Sequence, residues 1–388
     1  VVHISEHLYT WITESLREAL SMLARKTQHK ALQWLGRQLF NRNDPEAFFD
    51  PLLERINPMW VQEYTPARVE QVLSETHDTK TLVLKPARRW SGFSAGQHVN
   101  ICVEVDGVRR NRTFSLSSSP LLWQEQGLVT LTIKRLPGGL VTNWLHDHLQ
   151  TGAVIGMGEA FGDFLIPEPA RPVLFIAGGS GITPVLSQLE TMAAQDYRAP
   201  VTLLYFVRTR DDIIAREKLR ALEARYSALT LNIIATNESE EPRYLSDRDL
   251  DAVPGIKARQ VYLCGPKGLM DLARDLLYRR GIADSDIHST FFSVPTADLD
   301  RATLGGEVQF ETSQLEVGSE GDATLLEIAE AAGLTPRHGC RMGICHQCSC
   351  RKTTGTVINR LTGQASGPGE QNVQLCISVP RGPVSLDL

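Results

Sequence analysis

Hydrophobic and polar positions change rhythm several times along this chain, and each rhythm predicts a different kind of element. At the start, Ile4, Leu8, Trp11/Ile12, Leu16, Leu20 and Leu23 recur every three or four positions, the apolar stripe of an amphipathic helix. A second helix is predicted over 31–40, so residues 1–62 form a helical N-terminal extension. Residues 63–168 change to short runs of alternating or β-branched residues at 67–73, 79–84, 100–104, 112–117 and 128–134. These are separated by Gly92, Gly96, Gly107, Pro120 and Pro137-Gly138-Gly139. That spacing predicts an antiparallel β-barrel, with one helix over 143–149 set into it. Residues 169–295 alternate continuous apolar runs (173–177, 201–207, 231–236, 260–264) with helical stretches through 192, over 212–226 and through 280. This pattern predicts an α/β, doubly wound parallel sheet. A polar, glycine-ended linker follows at 296–306. In 307–388, strands at 307–317, a helix at 324–332 and a closing strand at 384–388 predict a small α+β module. The fold class is therefore multidomain.

Composition narrows the function. A chain of 388 residues with 42% hydrophobic and 22% charged residues is globular and too long for one core. The net charge of −5 argues against nucleic acid as a partner. Residues 1–42 hold six Lys/Arg against three Glu. A basic amphipathic helix of this kind suits peripheral contact with an anionic membrane, or packing on a neighbouring domain with its charges in water. No apolar run reaches membrane-spanning length. The seven cysteines are odd in number, and no secretory signal opens the chain. The expected setting is the reducing cytoplasm, with peripheral attachment at the inner face of the membrane.

The chemistry concentrates in the last segment. Cys340, Cys345 and Cys348 make a C-x4-C-x2-C loop, and Cys376 follows 28 positions later. This is the spacing of a plant-type [2Fe-2S] cluster, which moves one electron at a time. Gly339 and Gly343 allow the tight turns that aim N–H groups at the sulfurs. Zinc, with His338 or His346 as further ligands, is the competing reading, although zinc sites favour paired short knuckles. Cys350 reads as a packing thiol on the opposite strand face.

Upstream, a strand runs into Gly178-Gly179-Ser180-Gly181-Ile182-Thr183-Pro184 and then a helix. Such a glycine turn lets the backbone approach a pyrophosphate at a helix N-terminus, and it also suits tight strand–helix packing. Cys264-Gly265-Pro266 ends another parallel strand, where ligands bind in such sheets. Cys264 reads as a small residue lining that pocket. In the barrel segment, Arg112-Thr113-Phe114-Ser115 combines a phosphate-binding guanidinium, a stacking ring and a hydroxyl.

In this order, the motifs over residues 63–388 resemble the ferredoxin–NADP reductase superfamily, and within it oxygenase- and desaturase-type reductases with a fused C-terminal ferredoxin. The resemblance implies an FAD-binding barrel at 63–168, an NAD(P)-binding domain at 169–295 and a β-grasp [2Fe-2S] ferredoxin domain at 307–388. It assigns Arg112 to the flavin phosphates, Phe114, in place of the commoner Tyr, to the isoalloxazine face and Ser115 to the flavin N5 region. Gly139, Val141 and Thr142 resemble the loop at the flavin pyrophosphate. Gly178, Gly179, Gly181, Thr183 and Pro184 match the nicotinamide-dinucleotide loop, and Cys264, Gly265 and Pro266 the nicotinamide site. Phe291 and Phe292 match a terminal aromatic that shields the flavin. Cys340, Cys345, Cys348 and Cys376 would hold the cluster. Ser117-Ser118-Ser119 and the length of the barrel segment lean toward FAD over FMN. Arg208, Arg210 and Arg243 after the second and third strands lean toward NADPH over NADH. The implied activity is an NAD(P)H-dependent oxidoreductase that passes electrons onward. The N-terminal extension, Ile56-Asn57-Pro58-Met59-Trp60 and the cluster loop together resemble reductases of membrane-bound fatty-acyl desaturases. A ring-hydroxylating or other oxygenase is the alternative acceptor, and a redox sensor or structural metal protein the alternative class.

Overall fold

The computed structural model divides into two compact units, Val1–Glu63 and Tyr64–Leu388. It describes Met59 and residues 64–105, 108–238, 241–292, 303–321, 323–338, 343 and 346–388. The helices expected in 1–62 and most of the linker lie outside the described residues.

The second unit opens with a barrel: β1 (Thr65–Thr76), β2 (Thr79–Pro86), β3 (His98–Val105), β4 (Val108–Ser115), α1 (Pro120–Gln126), β5 (Val129–Lys134), α2 (Leu140–His148) and β6 (Val154–Met157). The strands form one sheet in the order β4-β3-β6-β1-β2-β5. A bridge between Leu116 and Leu131 ties the β4 end to β5, bringing the two edges together. Closure hides the edge strands that would otherwise be open to foreign pairing. Val69, Leu84, Val99, Ile101, Leu131 and Met157 fill the interior, and α2 adds Val141 and Leu145.

Next come β7 (Val173–Gly178), α3 (Ile182–Ala194), β8 (Val201–Val207), α4 (Arg216–Arg225), β9 (Leu229–Ala235), α5 (Asp247–Asp251), β10 (Gln260–Cys264), α6 (Lys267–Arg279) and β11 (Ile287–Thr290). All pairings in this sheet are parallel, in the order β11-β10-β7-β8-β9. Every residue of β7, β8 and β10 is buried, as a parallel sheet covered on both faces requires. Strand order reverses between β7 and β10, so their C-terminal ends flank the crevice where such sheets bind ligands.

The last module comprises β12 (Gly306–Phe310), β13 (Leu315–Ser319), α7 (Leu325–Ala331), β14 (Ser349–Asn359), β15 (Gln371–Gln374) and β16 (Ser378–Leu386). Its sheet order is β13-β12-β16-β14-β15, with β12 and β16 parallel and the rest antiparallel. Thr324 and Glu327 form a reciprocal capping box that starts α7. The expected multidomain class, barrel then doubly wound sheet then α+β module, is the observed one.

Some elements differ from expectation. The helix expected over 212–226 starts only at Arg216, because Thr209 and Asp212 cap a separate short turn first. The closing strand begins at Ser378, six residues before the expected start, since Pro380 and Gly382 concealed it in the sequence.

Candidate functional site

Ser115 ends β4, and its hydroxyl is buried with no hydrogen-bond partner among the described residues. A buried hydroxyl left unsatisfied costs free energy, so its position suits a ligand that supplies the missing bond. Thr113 Oγ1, two residues earlier, donates to Asn100 Oδ1 at 2.7 Å, fixing the strand. Phe114 packs, partly exposed, on the barrel core, and Arg112 stands exposed at the surface.

The second cradle is the start of α2. Gly139 is its N-cap and makes no side-chain cap. A Cβ on Gly139 would lie 2.4 Å from Thr142 Oγ1 and 3.1 Å from Leu136 O, so a side chain here would displace the Thr142 hydroxyl and crowd the turn. Val141 and Thr142 follow in the first turn, which carries no acidic residue. Uncapped N–H groups and the positive end of the helix dipole suit a phosphate.

The third cradle lies at the switch point. Gly179 has φ +52°, in the left-handed region. A Cβ on Gly181 would sit 2.0 Å from the Cys264 carbonyl oxygen, and one on Gly265 would meet Gly178 N at 3.0 Å. The glycine turn and the Cys264-Gly265 strand end therefore pass backbone against backbone. Two hydroxyls hold the turn: Thr183 Oγ1 donates to Ser180 O at 3.0 Å and Tyr205 to Gly179 O at 3.1 Å. Tyr205 also accepts from Ile214 N–H at 3.3 Å. Burial pushes its phenol well above the ordinary range, so it remains a neutral donor. Pro184 lies in the first turn of α3, which again lacks acidic residues and a side-chain cap. Pro266 is the N-cap of α6. Cys264 is fully buried, and burial raises its thiol pKa far above the usual value. It is a packing thiol, unsuited to nucleophilic attack.

The three arginines after these strands separate. Arg210 pairs with Glu238 at 3.1 Å and Arg243 with Asp249 at 2.5 Å. The Arg208 side chain is exposed and makes no such pair among the described residues. Phe291 packs on the sheet core, whereas Phe292 is exposed.

Cys340 and Cys345 lie outside the described residues. Cys348 and Cys376 are buried in one core, and Leu375 N–H donates to Cys348 O at 3.1 Å, which brings the two segments side by side. Gly343 has φ +76°, and Gln374 Nε2 holds its carbonyl at 2.8 Å. The expectation that Cys350 faces away is corrected: it is buried in the same core as Cys348 and Cys376. β14 begins at Ser349, and residues two apart along extended chain share a face.

Sequence reasoning missed Tyr205, Glu75 and Glu190. Glu75 Oε2 accepts from Ala215 N–H at 3.0 Å, across 140 residues of sequence, and Glu190 Oε2 accepts from Ser119 N–H at 2.9 Å. Such partners leave no local signal.

The fold and its cradles define a nucleotide-dependent oxidoreductase with a ferredoxin module attached. Three family models match in series: the oxidoreductase FAD-binding domain over residues 66–165, the oxidoreductase NAD-binding domain over 175–275 and the 2Fe-2S iron-sulfur cluster binding domain over 308–381. An NADPH oxidoreductase of Mycobacterium tuberculosis is 33% identical over 341 residues, 87% of this chain and 88% of that one. A glycine betaine monooxygenase reductase subunit of Chromohalobacter salexigens is 29% identical over 371 residues, covering 88% and 99%. Phthalate dioxygenase reductase shares the fold, with a TM-score of 0.61 at 21% identity over 84% of this chain and 98% of that one. The chain belongs to the ferredoxin–NADP reductase superfamily, in the group with a C-terminal [2Fe-2S] domain. It is an oxidoreductase whose cofactors are FAD, a [2Fe-2S] cluster and NAD(P)H. Among the described residues no helix is long and apolar enough to cross a membrane.

Proposed function

We propose that this reductase draws electrons from NADPH and delivers them singly to an oxygen-activating iron enzyme. The single observation that carries the electron path is the serial arrangement of FAD-binding, NAD-binding and 2Fe-2S domains in one chain. The bound cofactors supply the change from two-electron hydride chemistry to one-electron transfer.

The residues then take these roles. Arg112 and the α2 start at Gly139, Val141 and Thr142 hold the flavin phosphates. Thr113 fixes the strand, Phe114 offers a ring face and the Ser115 hydroxyl donates toward N5. Gly178, Gly179, Gly181, Thr183 and Pro184 cradle the nicotinamide dinucleotide. Cys264, Gly265 and Pro266 line the nicotinamide site, and Phe292 covers the flavin. Cys340, Cys345, Cys348 and Cys376 bind the cluster. Arg208 recognises the 2′-phosphate, since Arg210 and Arg243 are committed to Glu238 and Asp249. The relative named NADPH oxidoreductase supports this preference.

The relative named as a glycine betaine monooxygenase reductase subunit supports an oxygenase as acceptor. Within that class, a membrane fatty-acyl desaturase is the finer reading. It rests on the basic amphipathic pattern of residues 1–42, which would place a cytoplasmic reductase at the inner face of the membrane. The test is an anaerobic titration with NADPH and then NADH, recording flavin and iron–sulfur absorbance. Bleaching of both bands at lower NADPH than NADH is expected, and Arg208→Ala should abolish that preference. Bleaching by neither nucleotide refutes the electron path. Co-sedimentation of the full chain, but not of residues 64–388, with phosphatidylglycerol vesicles would support the membrane reading; equal recovery in the supernatant would refute it.

A further inference from the structure

Two carboxylates cross between the barrel and the nucleotide sheet in opposite directions. Glu75, in β1 of the barrel, accepts the Ala215 N–H at 3.0 Å. Ala215 is the N-cap of α4 and has φ +54°, a left-handed conformation unusual for a residue with a side chain. Glu190, in α3 of the nucleotide sheet, accepts the Ser119 N–H at 2.9 Å, and Ser119 is the N-cap of α1 in the barrel. Lys218 Nζ, in α4, lies 2.8 Å from Glu190 Oε1. The links thus form a closed circuit: β1 to α4 through Glu75, α4 to α3 through Lys218, and α3 back to the barrel through Glu190.

Behind Glu75 the barrel is organised to support it. Thr81 Oγ1 donates to Glu75 Oε1 at 2.7 Å. Each hydroxyl has one proton, so Thr132, 2.8 Å from Thr81, must donate to it. Ser117, 3.0 Å away, must then donate to Thr132, and Thr130 to Ser117 at 2.9 Å. One carboxylate orients four buried hydroxyls in a single direction. Around Glu190, Ser187 Oγ donates to Ser118 O at 2.6 Å, and Thr191 Oγ1, whose proton goes to Ser187 O at 2.7 Å, accepts from Ser119 Oγ at 3.1 Å. Phe164 anchors the barrel in the core of the sheet, edge-on to Tyr262 at 5.1 Å, and the carboxylates add direction-specific bonds that fix the angle of approach.

We infer that Glu75 and Glu190 are reciprocal positioning residues, two clasps that fix the nucleotide sheet on the barrel and so set the approach of nicotinamide to flavin. The inference rests on the family's hydride transfer between those two domains. Reaction rates fall steeply when reacting atoms are misplaced by even an ångström, whereas dinucleotide affinity depends on the sheet's own glycine turn. The clasps should therefore govern the limiting rate more than binding.

The experiment uses the full-length holoprotein. Glu75→Gln, Glu190→Gln and the double variant are mixed anaerobically with NADPH in a stopped-flow instrument, and hydrogen exchange is followed at Ala215 and Ser119. A glutamine at either position keeps the shape and one acceptor oxygen but removes the charge that strengthens both bonds, so each clasp weakens. Each single variant should lower the limiting rate of flavin reduction at least fivefold, with the apparent NADPH Kd within twofold of wild type. The double variant should fall little further, because the clasps belong to one circuit. Exchange at Ala215 should rise about tenfold in Glu75→Gln, and at Ser119 in Glu190→Gln. Glu75→Asp and Glu190→Asp, which withdraw the charge by one methylene, serve under the same fivefold criterion if an amide variant fails to fold. Limiting rates within twofold of wild type, with or without a lower Tm, would overturn the inference. Wild-type flavin that NADPH fails to reduce would refute the assigned electron path instead. The exchange data would still judge the clasps: unchanged exchange at both amides rejects them.

Discussion

At the scale of single residues, the proposed flavin corner of the barrel turns on one hydroxyl. Ser115 is buried, and its Oγ has no partner among the described residues. Its side chain could have been written as alanine at no structural loss, since a hydroxyl that bonds nothing only adds a desolvation cost. Retaining it makes sense when a ligand completes the bond. Ser115→Ala should therefore leave the apoprotein as stable as wild type or slightly more so, while slowing flavin reduction about tenfold, the worth of one hydrogen bond near a reacting centre. Thermal melts of the apoprotein and stopped-flow reduction of the holoprotein measure the two halves separately. A destabilised apoprotein with an unchanged rate would show that Ser115 is merely structural. The sequence made this residue visible because Arg112-Thr113-Phe114-Ser115 is a local string. It could not show Tyr205, whose hydroxyl reaches back to Gly179 across 26 positions from the middle of an apolar strand. In the sequence, Tyr205 is one more β-sheet aromatic; only the pairing of β7 with β8 turns it into a support for the dinucleotide turn.

At the scale of elements, the glycine turn between β7 and α3 was legible for a related reason. Backbone approach permits few residue types, so the fold writes its demand into the sequence as glycines. Gly181→Ala puts a methyl group 2.0 Å from the Cys264 carbonyl oxygen, where the obstruction is backbone and cannot swing aside. The strand ends must part, at an overpacking cost of about 1–3 kcal/mol. A fall of several degrees in Tm and at least tenfold weaker NADPH binding are expected, measured by calorimetry and titration. Gly268→Ala, in α6 with open space around its Cβ, should be neutral or slightly stabilising, because alanine restricts the unfolded chain more than glycine. Two histidines, one buried and one half-buried, carry a separate pH signature. His146 in α2 is buried, which lowers its pKa from 6.5; its Nε2 bonds Ile133 O at 2.9 Å, and Arg135 and Lys80 repel a second proton. Burial likewise lowers His288 in β11. A depressed folded pKa means the unfolded chain binds protons first. This stability is complete above about pH 6.5 and is lost as pH falls toward the folded values. Tm should thus decline from pH 7 to pH 5.5, and His146→Gln should flatten the decline; an equally steep fall in that variant would exclude His146 as a source. Short elements were the least legible. The four residues of β6 hold the centre of the barrel sheet between β3 and β1, yet four residues give too little alternation to read.

At the scale of the whole molecule, the order of modules carries the function. A barrel, a parallel sheet and an α+β domain can each serve many chemistries. In series, with a cysteine framework at the end, they form a wire that begins with a two-electron donor and ends with a one-electron carrier. The overall plan was readable because each module has its own hydrophobic rhythm. The contact between the first two modules was not, because Glu75, Glu190 and Lys218 resemble any solvated charges until the fold unites them. The wire can be cut at one end to test its direction. Cys376 is buried beside the Cys348 segment, and Cys350 shares their core without a place in the C-x4-C-x2-C spacing. Cys376→Ser should remove the iron–sulfur absorbance while NADPH still bleaches the flavin, and NADPH-driven reduction of cytochrome c should fall at least tenfold. Cys350→Ala should keep the absorbance and the rate, losing only some stability from the small cavity left in the core. If Cys376→Ser retained full cytochrome c reduction, electrons would be leaving from the flavin directly, and the ferredoxin module would be a passenger in this reaction. If Cys350→Ala instead abolished the cluster, the ligand set drawn from spacing would be wrong at its fourth position, and the thiol that shares the core would have to be reconsidered as the ligand.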